Sequence, residues 1–304
     1  MALGTNHVTN TTAATFIPEL WSDEIVAAYK SNLVMANLVN KMSFRGKKGD
    51  TLHVPKPTRG NASDKAASTQ VTLIAATESE VVVNINKHKE YSRLIEDITE
   101  AQSQASLRRF YTADAGYAIA KAVDSDLVAL GRTVQGGSGT NAYNKAVIGS
   151  DGSTLYTAGA SNAAALTDAA IRKVMQTLDD QDVPMDGRVL VLPPVARNTL
   201  LGLARFTEQA FTGEVGGGNS IRNGQIGDIY GVKVYVSTNA DTTSASDRIG
   251  LMFHKDAFVL AEQMGVRSQT QYKQEYLGTL FTADMLYGVA EMRDNAAVAI
   301  AIPA

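Results

Sequence analysis

Hydrophobic positions along the chain change their period several times, and each change marks an element. Residues 1–15 are mostly Thr, Asn and Ala with no periodic apolar pattern, which reads as an extended arm. After Pro18, the residues Trp21, Ile25, Val26, Tyr29, Leu33 and Val34 fall near i, i+4 and i+8, one face of a helix with Trp21 as its anchor. Arg-Gly-Lys-Lys-Gly-Asp at 45–50 reads as a turn, because Gly46 and Gly49 permit positive φ and the charges want water. Residues 51–57 then alternate as a strand, confined to an edge or a ribbon by Pro55 and Pro57. Residues 59–69 are small and polar, a loop tip. Strand character is expected again at 71–74 and at 80–87, where Val81, Val83 and Ile85 oppose Val82, Asn84 and Asn86. An isolated two-stranded excursion of this length is marginal in water, so it should lie on another surface.

Thr99 with Gln102 three positions on has the form of a capping box, which predicts a helix start. From there Leu107, Tyr111, Ala115, Ile119, Ala122, Val123, Leu127 and Leu130 hold a helical face, and no proline interrupts before the glycines at 136–139. A helix of roughly 33 residues, about 50 Å long, is expected. A coiled coil ranks second, since the face drifts instead of holding strict heptads. Residues 136–162 read as an irregular connection. A second domain then opens, with Thr167 capping a helix through Ile171, Val174, Met175 and Leu178. The run 189–192 is apolar on both faces, Pro193 and Pro194 end it, and 195–203 return to helix, which points to a sheet covered by helices. A glycine-rich loop at 211–224 and a strand pair at 226–237 follow. The remainder reads as a strand at 251–253, a short helix at 255–260, extended segments at 266–276 and 278–289, and a buried strand at 296–302.

Composition narrows the class. The chain has 304 residues, which at roughly 150 per domain suggests two domains. Its 44% hydrophobic content can build a core, while charged residues at 19% leave a neutral surface suited to permanent contacts. Lys and Arg number 28 against 31 Asp and Glu, a net charge of −3 with no basic stripe, which argues against a dedicated nucleic-acid binder. The absence of cysteine removes disulfides, thiolate metal sites and a Cys nucleophile. Residues 1–14 lack the cationic start of a signal peptide, and the longest apolar run, 296–302, is far below the roughly 18 residues of a membrane span.

Candidate chemistry does not assemble. Gly216, Gly217, Gly218 and Gly224 suggest a phosphate loop, but no Gly-Lys-Ser/Thr follows and no helix starts after them. His7, His53, His88 and His254 share no metal spacing, and His88 is expected on a solvated strand. The carboxylate pairs Glu78/Glu80, Asp124/Asp126 and Asp179/Asp180 could suggest acid–base or cation chemistry, yet each reads better as a solvated face. No catalytic, cofactor or metal site is expected.

Three strings carry a resemblance: Lys48-Gly-Asp-Thr-Leu-His-Val-Pro, then Val83-Asn-Ile-Asn-Lys-His-Lys running to Ile95-Glu-Asp-Ile-Thr-Glu-Ala-Gln, and Gly224-Gln-Ile-Gly-Asp-Ile-Tyr-Gly-Val-Lys-Val-Tyr-Val-Ser. With the order of elements, they make the chain similar to the major capsid protein of tailed bacteriophages, the Hong Kong 97 type fold. The resemblance implies an α+β chain with an N-terminal arm at 1–46, an extended β-hairpin E-loop at 47–91, a peripheral domain with a spine helix at 92–159, an α/β axial domain at 160–246, and peripheral C-terminal strands at 247–304. It further implies no cofactor and no enzyme activity, but self-assembly into hexamers and pentamers of an icosahedral shell around double-stranded DNA. Assembly would take place in the host cytoplasm and end in the virion, with a separate scaffolding protein and a portal as partners and no membrane. Contacts between subunits are expected at Trp21, Lys56, Arg59, Lys65, Gly216, Gly217, Gly218 and Asn219. Some relatives weld subunits through a Lys–Asn isopeptide bond assisted by a Glu, for which Lys56 or Lys65 with Asn295 and Glu291 would be needed. An encapsulin-like compartment, another phage structural part such as a tail tube, and an enzyme using the glycine loop are the alternatives. A ribbon and an arm that cannot bury their own faces favour the shell.

Overall fold

A one-turn helix, α1 (Met35–Leu38), leads into a short strand, β1 (Asn40–Ser43). The computed structural model describes residues 33–46, 48–57, 60–71, 73, 78–102, 107–137, 143–157, 159–160, 162–203 and 228–304. The arm at 1–15, Trp21 with most of its helix, Arg59, and the loop holding Gly216, Gly217, Gly218 and Asn219 lie outside the described residues. Gly46 and Gly49 adopt φ of 79° and 140°, the turn their spacing calls for. Strands β2 (Thr51–Lys56) and β3 (Ser79–Asn84) then pair antiparallel, from Thr51↔Asn84 to Lys56↔Ser79, as a ribbon. Every described residue from 57 to 78 is exposed. Val71 and Leu73, expected in a strand, belong to none and stand 62% and 89% exposed, because none of the described residues covers them.

Strand β4 (Lys87–Glu96) runs directly into α2 (Asp97–Gln102), and α3 (Leu107–Ala129) follows. The strand is held up to Glu96 by its sheet partner, so helix begins at Asp97 and Thr99 sits inside the first turn instead of capping it. Ala115, Ile119, Val123 and Leu127 form the buried stripe of α3 at the expected spacing. The helix stops earlier than expected. At 23 residues it spans about 35 Å, then gives way to 3-10 turns at Leu130–Arg132 and Val134–Gly136, where Gln135 takes a left-handed φ of 59°.

After β5 (Val147–Ile148), α4 (Asp168–Asp180) starts where Thr167 Oγ1 accepts the Ala170 N–H at 3.2 Å. It buries Ala170, Ile171, Val174 and Leu178, and β6 (Arg188–Leu192), whose five residues are all buried, follows. Helix α5 (Pro194–Leu201) begins with proline at its first position. Strands β7 (Asp228–Ile229) and β8 (Val232–Val236) close through Tyr230 and Gly231, both at positive φ as a two-residue hairpin requires. Strand β9 (Arg248–His254) passes through the 3-10 turn Lys255–Ala257 into β10 (Phe258–Lys273). The helix expected at 255–260 is therefore only that turn, since Phe258, Val259 and Leu260 are already paired and buried in β10. Strand β11 (Gly278–Glu291), the 3-10 turn Asp294–Ala296 and β12 (Ala297–Ile302) complete the chain.

Two sheets and the ribbon result: β1-β10-β11-β4, and β5-β12-β9-β6-β8-β7. The segment 247–304, expected to join the spine-helix domain as a block, divides between the sheets. All six residues of β12 are buried, so it needs neighbours on both edges and finds them in β5 and β9. One hydrophobic cluster runs through α3, α4, α5 and both sheets, from Val34 to Ile302.

Polar residues of α3 tie distant segments to it, contrary to the expectation that Asp124 and Asp126 face water. Asp124 is 1% exposed and accepts from the Met35 N–H at 2.8 Å and the Asn239 amide at 2.9 Å, so α1 and the loop after β8 meet on one carboxylate. Asp126 accepts from the Tyr287 hydroxyl at 2.6 Å and pairs with Lys87 at 3.0 Å. Burial opposes its charge, but that hydroxyl and the Lys87 and Lys89 ammoniums outweigh burial and hold the carboxyl below its usual range. Beyond the helix, Arg132 grips Asp241 through two bonds of 2.7 and 3.0 Å. Asp179 and Asp180 are exposed at the end of α4 as expected, and Asp179 in addition pairs at 2.7 Å with the buried Arg188. Replacing Asp124 with Ala strands two donors in the interior and should cost about 2–4 kcal/mol, read as a lower urea midpoint. An unchanged midpoint would show that Asp124 is not a tie.

Candidate assembly interfaces

Among the described residues, the ribbon is tied to the rest of the chain at its base. At its base the Ile85 N–H donates to the Asp50 carbonyl and Gln263 Nε2 to the Gly49 carbonyl, both at 2.8 Å, while Arg45 pairs with Glu262 at 2.6 Å. Val83 and Ile85 form a second small core with Val259 and Ala261, flanked by Met42, Phe44, Leu52 and Leu286. The alternation read at 81–86 thus buries Val83 and Ile85, leaves Val81 half-buried and exposes the even members. Gly288 makes this approach possible, because a Cβ there would collide with the Asn84 carbonyl oxygen. Farther out, the His53–Glu80 pair at 3.0 Å is more than half exposed on both sides and contributes little.

The four-stranded sheet gives the root a stiff base. On it Asp284, nearly buried, is gripped by Arg267 at 2.7 and 2.9 Å and lies 3.0 Å from His88 Nε2. The Arg267 bonds, then the one to His88, hold the Asp284 carboxyl down to about 2. His88 is therefore anchored as well as partly solvated. A second unburied region lies where β10 turns into β11: Tyr272, Tyr276 and Leu277 are 48%, 61% and 67% exposed. Sequence reasoning missed this patch, whose one signal was an apolar pair, Tyr276 and Leu277, between two extended segments.

Lys56 ends β2, and its carbonyl accepts from Ser79 Oγ at 3.2 Å. Lys65 sits in the exposed loop and donates to the Ala66 carbonyl at 3.4 Å. Both are surface positions of the ribbon. Asn295 and Glu291 lie instead at the corner between β11 and β12, and no hydrogen bond or ion pair joins them to either lysine. Among the described residues no cluster of three or more His, Asp or Glu could hold a metal ion, and no helix is long and apolar enough to cross a membrane.

Gly288→Ala should loosen the ribbon at its root at a cost of about 1–3 kcal/mol. The expected readout is faster protease cleavage within residues 48–84 with the remaining chain still resistant; cleavage at the wild-type rate would contradict the close approach at Gly288.

A ribbon rooted on a sheet beside a long helix, joined to a helix-covered second sheet, recurs in known proteins. A structure from Mycobacterium phage Che8 superposes with a TM-score of 0.74 at 24% identity, covering 94% of this chain and 97% of that one. The capsid structure of the cyanophage P-SCSP1u gives a TM-score of 0.78 at 21% identity over 99% and 96% of the two chains. The capsid asymmetric unit of the cyanophage Pam1 gives 0.72 at 12% identity over 99% of both. These likenesses establish the α+β capsid fold. No curated protein matches the sequence. The sequence pattern of the phage capsid protein family matches residues 24–302, nearly the whole described chain, and on that ground the chain belongs to the phage capsid proteins.

Proposed function

We propose that copies of this chain close, as hexamers and pentamers, into an icosahedral shell around double-stranded DNA. One observation carries the reading: a long ribbon, rooted on a sheet, presents Val71 and Leu73 to solvent with no partner among the described residues. A surface that folding leaves uncovered in this way is covered by another copy. In this reading the ribbon is the E-loop, α3 with the four-stranded sheet is the peripheral domain, and the six-stranded sheet with α4 and α5 is the axial domain. Lys56, Arg59 and Lys65 make polar contacts on a neighbour, and Trp21, Gly216, Gly217, Gly218 and Asn219 are further contacts between subunits. The net charge of −3 suits a container that holds DNA without gripping it. A scaffolding protein and a portal complete assembly in the host cytoplasm, the virion is the destination, and the role is structural, not catalytic.

The test is assembly of the double variant Val71→Ser, Leu73→Ser. Each apolar side chain that is buried on a neighbour contributes about 1.5–3 kcal/mol, so losing both should raise the critical assembly concentration by at least about a hundredfold while leaving subunit unfolding unchanged. Shells at wild-type yield would sink the ribbon contact. Shells that enclose protein and no nucleic acid would place the chain with encapsulin-like compartments.

A further inference from the structure

The backbone passes between the two sheets at places that lie against one another. Lys255–Ala257 joins β9 to β10, Asp294–Ala296 joins β11 to β12, and Val134–Gly136 packs beside the second of these. The joint is stitched by the Met292 N–H to the Ala257 carbonyl at 2.7 Å and by Gln135 Nε2 to the Ala297 carbonyl at 2.9 Å. Two carboxyl groups complete it. Glu291 Oε2 accepts from the Thr133 hydroxyl at 2.8 Å, and Asp294 Oδ1 accepts from the Gly136 N–H at 2.7 Å. The same two groups are neighbours, with the Asp294 carboxyl within hydrogen-bonding reach of Glu291, while Glu291 Oε1 is buried with no donor facing it. A buried carboxyl oxygen without a donor, set beside a second carboxyl, is the arrangement in which one proton is shared.

No cation compensates the pair among the described residues. Arg132, on the preceding turn, is taken by Asp241. Lys255 and Asp256 on the facing turn, and Arg293 between the two carboxyls in sequence, form no ion pair with either; Asp256 lies 3.7 Å from His254 instead.

We infer that Glu291 and Asp294 form a proton-gated latch across the joint between the two sheets: sharing one proton they clamp the turn after the spine helix to the β11–β12 corner, and losing it to solvent they repel and free that corner. Burial drives the Glu291 carboxyl upward, the Thr133 hydroxyl opposes, and Asp294 adds to the rise, carrying it to about 7. The folded value is raised above the unfolded one, so the stabilisation is complete below about 4.5 and is lost as pH climbs through about 7. The latch belongs to the single chain and holds whether or not copies assemble.

Thermal unfolding and hydrogen exchange of the full-length chain, its Glu291→Gln variant and its Asp294→Asn variant, between pH 5 and 8.5, test this. Gln is neutral at every pH, so the melting temperature of Glu291→Gln minus that of wild type should be near zero at pH 5 and grow to several degrees at pH 8.5. Over the same range, exchange at residues 133–137, corrected for its intrinsic pH dependence, should speed up by about tenfold or more in wild type, stay flat in Glu291→Gln and rise less steeply in Asp294→Asn. If Glu291→Gln fails to fold, Asp294→Asn, which keeps an acceptor for the Gly136 N–H, carries the comparison alone. Parallel pH profiles in all three proteins would overturn the latch. So would a saturable gain in melting temperature with millimolar Ca²⁺ at pH 8 that is lost in Glu291→Gln, since the pair would then hold a cation in place of the proton.

Discussion

The buried carboxylate of Asp124 is the constraint around which the rest is arranged. A charge in the interior is tolerated only when donors converge on it, and these come from the start of α1 and from the loop after β8, 89 and 115 residues away along the chain. With Asp126 reaching Tyr287 and Lys87, and Arg132 reaching Asp241, the spine helix fixes the chain's entry, the ribbon's supporting sheet and the second sheet by directional bonds. Apolar burial supplies most of the driving force but tolerates sliding; these bonds select one arrangement.

A subunit built this way divides into parts that folding completes and parts that it leaves open. The single core spanning both sheets, and the small core under Val83 and Ile85, are closed. The outer ribbon, with Val71 and Leu73, and the β10–β11 end, with Tyr276 and Leu277, are not. Large exposed apolar residues on rigid supports are a liability for a solitary protein and an asset for one whose working state is many copies in contact. Membership of the phage capsid proteins gives that contrast its meaning.

Local chemistry was legible in the sequence wherever a short pattern decides the outcome. The positive φ at Gly46 and Gly49, the alternation at 81–86, the Thr167 cap, the both-face burial of β6 and the buried C-terminal strand all follow from neighbouring residues. Partners far along the chain decided the rest. Asp124 and Asp126 look solvated until Met35, Asn239 and Tyr287 are brought to them, and Phe258 to Leu260 read as helix until β11 pairs with them. The division of 247–304 between two sheets is likewise a matter of pairing. Of the expected contact residues, Lys56 at the end of β2 and Lys65 in the polar loop stand on the ribbon surface, whereas the Tyr276–Leu277 patch carried too little local signal to be foreseen.

Cryo-electron microscopy of the full-length chain, expressed alone and with a scaffolding protein, tests the central claim most directly. Closed icosahedral shells in which each ribbon lies on a neighbouring subunit, with Leu73 covered by it, are the predicted result. Isolated monomers or dimers under every condition, or shells in which Leu73 stays in solvent, would contradict it.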